Sequence, residues 1–169
     1  MTRIYLSLGS NLESNLGSRT DHLRLAVGKL SSLGTVTRES AVYETEPVEF
    51  TEQPEFLNCA VELETSLSAG ALLAGILAIE RAMGRDRAAQ VAKGPRVIDI
   101  DILLFGDAVV NSPELVIPHP AMHLRRFVLE PLTEIAGGFR HPVLHHTMEE
   151  LLAELPPGQA VRKLPPSSL

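Results

Sequence analysis

Two aspartates stand two residues apart inside an apolar stretch, VIDIDILLF, at residues 97–105. The alternation predicts a strand, on which Asp99 and Asp101 share one face with their Cα atoms about 6 to 7 Å apart. Two like charges on an apolar strand repel each other and lose hydration, and nearby cations relieve both costs. Paired carboxylates suit Mg²⁺, with a polyphosphate completing its ligands. A solvent-facing pair of acids leaves the same pattern, so the pair alone is a weak signal.

Cations cluster just before this strand. Residues 80–96 hold five cations and two acids, a net charge of +3 in a chain of net charge −6. Arg85, Arg87 and Arg96 flank a polar loop there, and guanidinium groups match phosphate oxygens in pairs. Each arginine alone would be an ordinary surface residue, but three of them beside two aspartates favour phosphoryl chemistry. No GxxxxGK[ST] loop is present, so the chain is not a P-loop enzyme.

A second group of residues could bind a flat heterocycle. Asn58 lies two residues after Phe56 on a predicted strand, so the amide and the ring share a face, and an amide offers both donors and acceptors. Phe127 is another candidate, although burial in the core is the usual fate of phenylalanine. His119 stands between two prolines, where it could contact a phosphate or simply cap a loop.

Hydrophobic periodicity predicts the elements that must position these side chains. The alternating segments predict strands over residues 3–9, 35–45, 56–65 and 97–105, with a short return strand at 108–110. Apolar stripes predict helices over residues 16–33, 68–83, 125–135 and 147–155, the third of them broken near Pro131. Ser68 is the predicted N-cap of the second helix, and Gly84 its end.

The order of these elements predicts an α+β fold of the ferredoxin-like βαββαβ type, with a mainly antiparallel sheet and helices on one face. Residues 1–155 are predicted to form a single domain, and residues 156–169 a loose C-terminal tail.

Composition excludes several classes of protein. Apolar residues make up 44% of 169 residues, which is too many for a disordered chain. No apolar run approaches the roughly 18 to 20 residues of a membrane-spanning helix, and the N-terminus does not resemble a signal peptide. A single cysteine, Cys59, excludes an intrachain disulfide and a multi-cysteine zinc site. The pI near 5.5 argues against nucleic-acid binding. We therefore expect a cytoplasmic protein without membrane or nucleic-acid partners.

Several motifs in combination resemble the 6-hydroxymethyl-7,8-dihydropterin pyrophosphokinase family of folate biosynthesis. The matching segments are YLSLGSN (5–11), VYETEPV (42–48), QPEFLNCAVELET (53–65), IERAMGR (79–85), GPRVIDIDILLFG (94–106) and VIPHPAMHLRRFVLEPLTEIAG (116–137). The resemblance covers residues 3 to about 150. It implies an enzyme that transfers the pyrophosphoryl group of ATP to the hydroxymethyl group of the pterin and releases AMP. We expect the protein to be a monomer.

The resemblance also implies a role for each matching residue. Asp99 and Asp101 match the pair that binds two Mg²⁺ ions, and Arg85 and Arg96 match catalytic arginines. Glu80, Arg87, Ile102, His119 and Arg125 match nucleotide-binding positions, and Lys93, which does not match, is expected to join them. The pterin-binding positions are Phe56 and Phe127, which sandwich the ring, together with Thr45, Val48 and Asn58.

The chain departs from some relatives in ways that affect these expectations. Ala92 and Lys93 stand where some relatives carry Arg-Trp, so Lys93 is expected to replace part of the missing charge. Glu46 stands where a proline is expected, and Glu114 replaces an arginine. Loops 46–54 and 85–95 are expected to close over the substrates. Two other classes stay open on the residues alone: a metal-dependent phosphohydrolase or nucleotidyltransferase, and a binding module without catalysis.

Overall fold

A six-stranded sheet organises the molecule. The computed structural model describes residues 1–45, 55–85, 95–158 and 160–166. The strands are β1 (Thr2–Ser10), β2 (Thr35–Glu39), β3 (Tyr43–Thr45), β4 (Phe56–Thr65), β5 (Asp99–Phe105), β6 (Val110–Asn111), β7 (Val116–Ile117) and β8 (Val161–Lys163). The helices are α1 (Arg19–Lys29), α2 (Ala69–Ala82), α3 (Arg126–Ala136) and α4 (Met148–Ala153). No helix in the described ranges is long and apolar enough to cross a membrane.

The sheet has the strand order β5-β1-β4-β3-β8, and β2 also pairs with β4. Neighbouring strands are antiparallel throughout. Helix α1 connects β1 to the β2–β3–β4 segment, and α2 connects β4 to β5. This arrangement confirms the predicted ferredoxin-like βαββαβ fold.

Helices cover both faces of the sheet, so the prediction of one covered face is wrong. Ile4, Leu6 and Leu8 of β1 pack on one face with residues of α1 and α2. Tyr5 of the same strand packs on the other face with Leu129 and Leu132 of α3 and with residues of α4. Alternate side chains of a strand point to opposite faces, and both faces of the central strands are apolar along part of their length. The second face therefore needs its own helical cover.

The second predicted strand, 35–45, is interrupted into β2 and β3. The register against β4 shifts within β2, between Val36 and Arg38, and again before Tyr43 pairs with Asn58. Ser40 lies at the interruption, where its hydroxyl accepts a hydrogen bond from the Ala60 amide at 2.8 Å. Extra residues of this kind bend a strand without ending its pairing.

Strand β5 carries a β-bulge at Leu103. Ile102 pairs with Leu6, whereas Leu104 pairs with Tyr5, so one residue of β5 has no counterpart on β1. Both Leu103 and Leu104 consequently pack in the core beneath α3. The Leu103 carbonyl accepts a hydrogen bond from the His119 amide at 3.0 Å.

The C-terminal third differs from the sequence predictions in three ways. The predicted return strand is β6, and it pairs with β7 rather than with β5. Helix α3 continues through Pro131 without a break, and a buried Pro131 packs with the rest of its apolar face. Residues 161–163 form β8 instead of lying in a loose tail. They pair with the edge of β3, and Arg162 and Lys163 form ion pairs with Glu44 and Glu134.

Candidate active site

The acid pair lies on the face of the sheet that α3 partly covers. Asp99 pairs with Gly9 and Asp101 with Ser7 on β1, whereas Ile100 and Ile102 point into the opposite core. Both aspartates are half-buried. The sequence expectation that they share one face follows directly from the pleat of β5. We call the part of this face around Asp99 and Asp101 the charged end of the site.

Neutral polar groups continue the same face onto β4 and β3, where they form what we call the neutral end. Asn58 pairs with Gly9, and a Cβ atom on Gly9 would lie only 2.8 Å from the Asn58 Oδ1 atom. Glycine at this position therefore leaves room for the amide beside β1. The Asn58 Nδ2 atom donates to the Thr45 hydroxyl at 2.8 Å, which fixes the orientation of the amide. Phe56 lies on the same face, half-buried.

A buried ion pair anchors the charged end to α2. Glu80, only 1% exposed, accepts hydrogen bonds on Oε2 from the Arg85 guanidinium at 2.9 Å and from the Ile100 amide at 2.7 Å. Arg85 Nη1 also donates to Asp99 Oδ1 at 2.5 Å. Arg85 follows Gly84, whose φ of 95° ends α2, as predicted. Glu80 thus holds both Arg85 and the backbone of β5 in place.

Arg96 approaches Asp99 from the other side. Its Nη1 atom lies 3.2 Å from Asp99 Oδ2, so the two carboxylate oxygens of Asp99 each face a guanidinium. The Arg96 backbone is tied to Asn11 by two hydrogen bonds, from its own amide to Asn11 Oδ1 at 2.8 Å and from the Asn11 amide to its carbonyl at 3.1 Å. The same guanidinium lies 5.7 Å from the centre of the Phe56 ring. Arg96 therefore connects the charged end with the neutral end.

His119 and Arg125, in the segment between β7 and α3, border the charged end, and Phe127 follows in the first turn of α3. The His119 Nδ1 atom accepts a hydrogen bond from the Ala121 amide at 3.1 Å, so the neutral ring carries its proton on Nε2. Burial lowers the pKa of His119, the positive charge of Arg125 acts in the same direction, and Asp99 opposes them. The Arg125 guanidinium lies 5.6 Å from the centre of the half-buried Phe127 ring. A neutral N–H donor and a cation thus stand together near Asp99.

The remaining predicted residues are not brought to the site by their side chains or fall outside the described ranges. Ile102, 5% exposed, packs in the core under α1 and α2, on the face opposite to Asp101, so only its backbone could contact a nucleotide. Val48, Arg87 and Lys93 lie outside the described residues, as does most of loops 46–54 and 85–95.

Sequence reasoning missed two residues that support the site. Asn11 is fully buried and bonded to Arg96, yet the sequence Gly9-Ser10-Asn11 indicates a turn first and a phosphate loop second. His22 of α1, also fully buried, contacts the hydroxyls of Ser10 at 3.1 Å and Ser14 at 2.8 Å. Burial lowers the pKa of His22. The signals in the sequence were the change from apolar to polar residues at Ser10 and Asn11 and, for Asn11, its place at the end of the matching segment YLSLGSN.

Comparison with known proteins agrees with this arrangement. The model of the 7,8-dihydro-6-hydroxymethylpterin-pyrophosphokinase (HPPK) family matches residues 5–137. The 2-amino-4-hydroxy-6-hydroxymethyldihydropteridine pyrophosphokinase of Bacillus subtilis is 46% identical over 133 residues, which cover 78% of this chain and 76% of that protein. The chain therefore belongs to the HPPK family.

Longer relatives match as well. The folic acid synthesis proteins of Pneumocystis carinii and Dictyostelium discoideum are 42% and 38% identical over 83% and 96% of this chain. The chain spans only 18% and 24% of their lengths. The crystal structure of wild-type Plasmodium falciparum HPPK-DHPS aligns with a TM-score of 0.73 at 18% identity, over 90% of this chain and 44% of that one. At that identity the likeness shows the fold alone.

Proposed function

We propose that the chain transfers the pyrophosphoryl group of ATP to the hydroxymethyl group of 6-hydroxymethyl-7,8-dihydropterin, with release of AMP. The observation that carries the proposal is the joining of a charged end and a neutral end on one sheet face. Asp99, Arg85 and Arg96 at the charged end suit a polyphosphate, and Asn58 and Phe56 at the neutral end suit a flat heterocycle.

The pterin is assigned to the neutral end. The oriented amide of Asn58 offers a donor and an acceptor to a heterocycle, and Gly9 leaves the sheet surface open beside it. Phe56 and Phe127 are proposed to stack on opposite faces of the ring. In support, the Phe56 ring lies under the Arg96 guanidinium and the Phe127 ring under the Arg125 guanidinium. Thr45 fixes Asn58, and Val48 is a further proposed pterin contact.

The nucleotide is assigned to the charged end. Arg85 and Arg96 donate to Asp99, and phosphate oxygens of ATP would compete for the same donors. His119 would donate through Nε2, and Arg125 would add a positive charge. Glu80 positions Arg85, the backbone of Ile102 is a proposed contact for the base, and Arg87 and Lys93 remain proposed phosphate contacts.

Asp99 and Asp101 fit Mg²⁺ by the chemistry of their donors. They are half-buried carboxylates on one strand face, and hard cations prefer oxygen ligands. Among the described residues no group of three or more His, Cys, Asp or Glu side chains could hold a metal, so phosphate oxygens and water would complete the ligands. Two bound Mg²⁺ ions would neutralise charge on the phosphate chain and lower the pKa of the attacking hydroxyl.

In the proposed reaction the hydroxymethyl oxygen bonds to the β-phosphorus of ATP. The bond from that phosphorus to the oxygen shared with the α-phosphate breaks, AMP leaves with the electron pair, and the hydroxyl proton passes to water. The residues contribute by placing the two substrates in line and by stabilising the charge that moves, since phosphoryl transfer needs little covalent help from the protein. Arg85 and Arg96 are the proposed catalytic residues.

The finer parts of the proposal are a monomeric state, a cytoplasmic location, and the lack of nucleic-acid and membrane partners. The pI near 5.5 supports the lack of nucleic-acid binding.

The test is incubation of the protein with ATP, MgCl₂ and 6-hydroxymethyl-7,8-dihydropterin, followed by separation of the nucleotides. The expected product is AMP, in equal amount to the pterin diphosphate, and it should disappear when EDTA is added or the pterin is left out. ADP would indicate attack at the γ-phosphorus, and free pyrophosphate would indicate attack at the α-phosphorus. Either result, or no turnover at all, would contradict the proposal.

A further inference from the structure

The C-terminal strand β8 reaches the neutral end of the site from outside. It pairs with β3 in antiparallel register, so that Arg162 stands opposite Glu44. Leu164, the first residue after β8, donates its amide to the Val42 carbonyl at 2.8 Å and packs against the core under α1 and α2. The strand is thus fixed to the sheet at several points.

Arg162 bridges two acidic residues that are eleven positions apart in the sequence. Its Nη2 atom lies 2.6 Å from Glu44 Oε1 and 2.8 Å from Glu55 Oε2. The hydrogen bond from Arg162 is the largest cause that lowers the pKa of Glu44, and burial opposes it. Glu44 therefore remains a carboxylate, and the bridge persists, across the neutral pH range.

A second arginine holds the same two positions from the side of α1. Arg19 donates from Nη1 to the Glu55 carbonyl at 2.6 Å and from Nη2 to Glu44 Oε2 at 3.2 Å. The Arg19 side chain is 29% exposed, whereas the Arg162 side chain is 59% exposed. The two arginines therefore clamp Glu44 and Glu55 between α1 and β8.

The clamped acids directly precede two residues of the neutral end. Thr45, which orients the Asn58 amide, follows Glu44, and Phe56, which lies under Arg96, follows Glu55. Thr45 and Phe56 are themselves partners in the β3–β4 register. A shift of Glu44 or Glu55 should therefore move both the Thr45 hydroxyl and the Phe56 ring.

We propose that Arg162 is a positioning residue for the pterin: it bridges Glu44 and Glu55 and so holds Thr45 and Phe56 in their binding arrangement. The inference rests on the proposed function, because it takes the neutral end to be the pterin site. Arg162 acts through Glu44 and Glu55 and not by touching either substrate. Its partners, Glu44 and Glu55, are not among the proposed nucleotide contacts, so its removal should act mainly on the pterin.

The test compares Arg162→Ala with Lys163→Ala in the full-length chain. Lys163 is a matched control, since it lies on the same strand, is 58% exposed, and pairs with a different acid, Glu134, at 3.4 Å. Pterin affinity is measured by titration in the presence of a non-hydrolysable ATP analogue, and the KM for ATP is measured separately. Arg162→Ala should weaken pterin binding about two- to fivefold, the range that exposed ion pairs carry. Lys163→Ala and the KM for ATP should stay within experimental error of the wild type.

A third variant separates positioning from general loosening of the strand. Arg162→Lys keeps a cation near both acids and should recover most of the pterin affinity. Equal losses in Arg162→Ala and Lys163→Ala, an equal rise in the KM for ATP, or unchanged pterin binding in a folded Arg162→Ala protein would overturn the inference. A wild-type protein that binds no pterin would overturn the proposed function instead, and the inference with it.

Discussion

The charged end and the neutral end of the site are built in different ways, although they share one sheet face. At the charged end the ion-paired side chains lie close in sequence: Arg96 is 3 residues from Asp99, Arg85 is 14 residues from it, and Glu80 is 5 residues from Arg85. A distant tie there is to the Arg96 backbone, which bonds to Asn11 85 residues away. At the neutral end the contacts depend on strand register and on distant segments, and the hydrogen bond from Arg162 to Glu44 spans 118 residues.

The difference follows from the physics of charge burial. A half-buried carboxylate needs cations close by, and a short segment can supply them in a dense cluster of arginines. Neutral groups such as Asn58 and Thr45 need only a hydrogen-bond partner in the right register, which any neighbouring strand can offer. The charged end is therefore visible as a local composition, whereas the neutral end exists only once the sheet has formed.

The largest expected effect comes from removing a charge at the charged end. Asp101→Asn should lower kcat by at least about a hundredfold, because stabilisation of the phosphate charge by a metal contributes several kcal/mol. Unfolding should be unaffected or shifted to higher temperature, since one of two neighbouring like charges is lost. AMP formation and thermal unfolding measure the two effects. Asp107→Asn, on the exposed turn after β5, is the matched control and should keep full activity. Near-normal turnover of Asp101→Asn at limiting Mg²⁺ would contradict the proposed binding of Mg²⁺ at the charged end.

Arg85→Ala should cost both activity and stability. Loss of a donor to the moving charge should lower kcat about a hundredfold, with a smaller change in ATP binding. The variant also leaves the buried Glu80 carboxylate without its guanidinium, at a cost of about 3 to 5 kcal/mol in the free energy of unfolding. Arg96→Ala is the comparison, because Arg96 is more exposed and should lose activity with less destabilisation. Equal free energies of unfolding for the two variants would show that the Glu80–Arg85 pair does not anchor this end.

Phe127→Ala should act on the pterin and leave the nucleotide largely unaffected. The expected loss is about 1 to 3 kcal/mol of pterin binding free energy, by analogy with stacking of bases on aromatic side chains. Calorimetric titration with the pterin and with an ATP analogue separates the two affinities, and Phe127→Tyr, which keeps the ring, should bind normally. If a folded Phe127→Ala protein bound pterin as tightly as the wild type, Phe127 would only pack in the core beside α3 and would not contact the pterin.

The smallest expected effect is a change of stability with pH. Burial lowers the pKa values of His22, His119 and His141 below the usual 6.5, so the unfolded chain takes up protons on acidification before the folded chain does. The free energy of unfolding should therefore fall as the pH drops through 6.5 and stay nearly constant above it. Denaturant titrations between pH 5.5 and 8 test this, and His22→Gln should reduce the slope. An unchanged slope in His22→Gln would place the proton uptake elsewhere.

Much of the fold and of the charged end could be predicted from the sequence. The bounds of β4, residues 56–65, and the Ser68 cap of α2 are as predicted, because strict alternation and N-cap chemistry are local signals. The cover on the second face and the bulge in β5 could not be predicted, since both depend on how distant segments pack. Asn11 and His22 were missed for the same reason: each is a single polar residue whose role depends on a partner brought in by the fold.

The bulge at Leu103 gives β5 a position where chain length can vary by one residue. Deleting Leu103 would restore strict alternation, with Asp99 and Asp101 still facing the site and Phe105 still opposite Ile4. Deleting Ile100 instead would turn one of the two aspartates toward the opposite core. However, the Leu103 carbonyl holds the His119 amide, so the shortened strand would keep its acid pair and lose its hold on the histidine. The extra residue thus separates the spacing of the two aspartates along the strand from the attachment of the His119 segment beside it, so that one can change without the other.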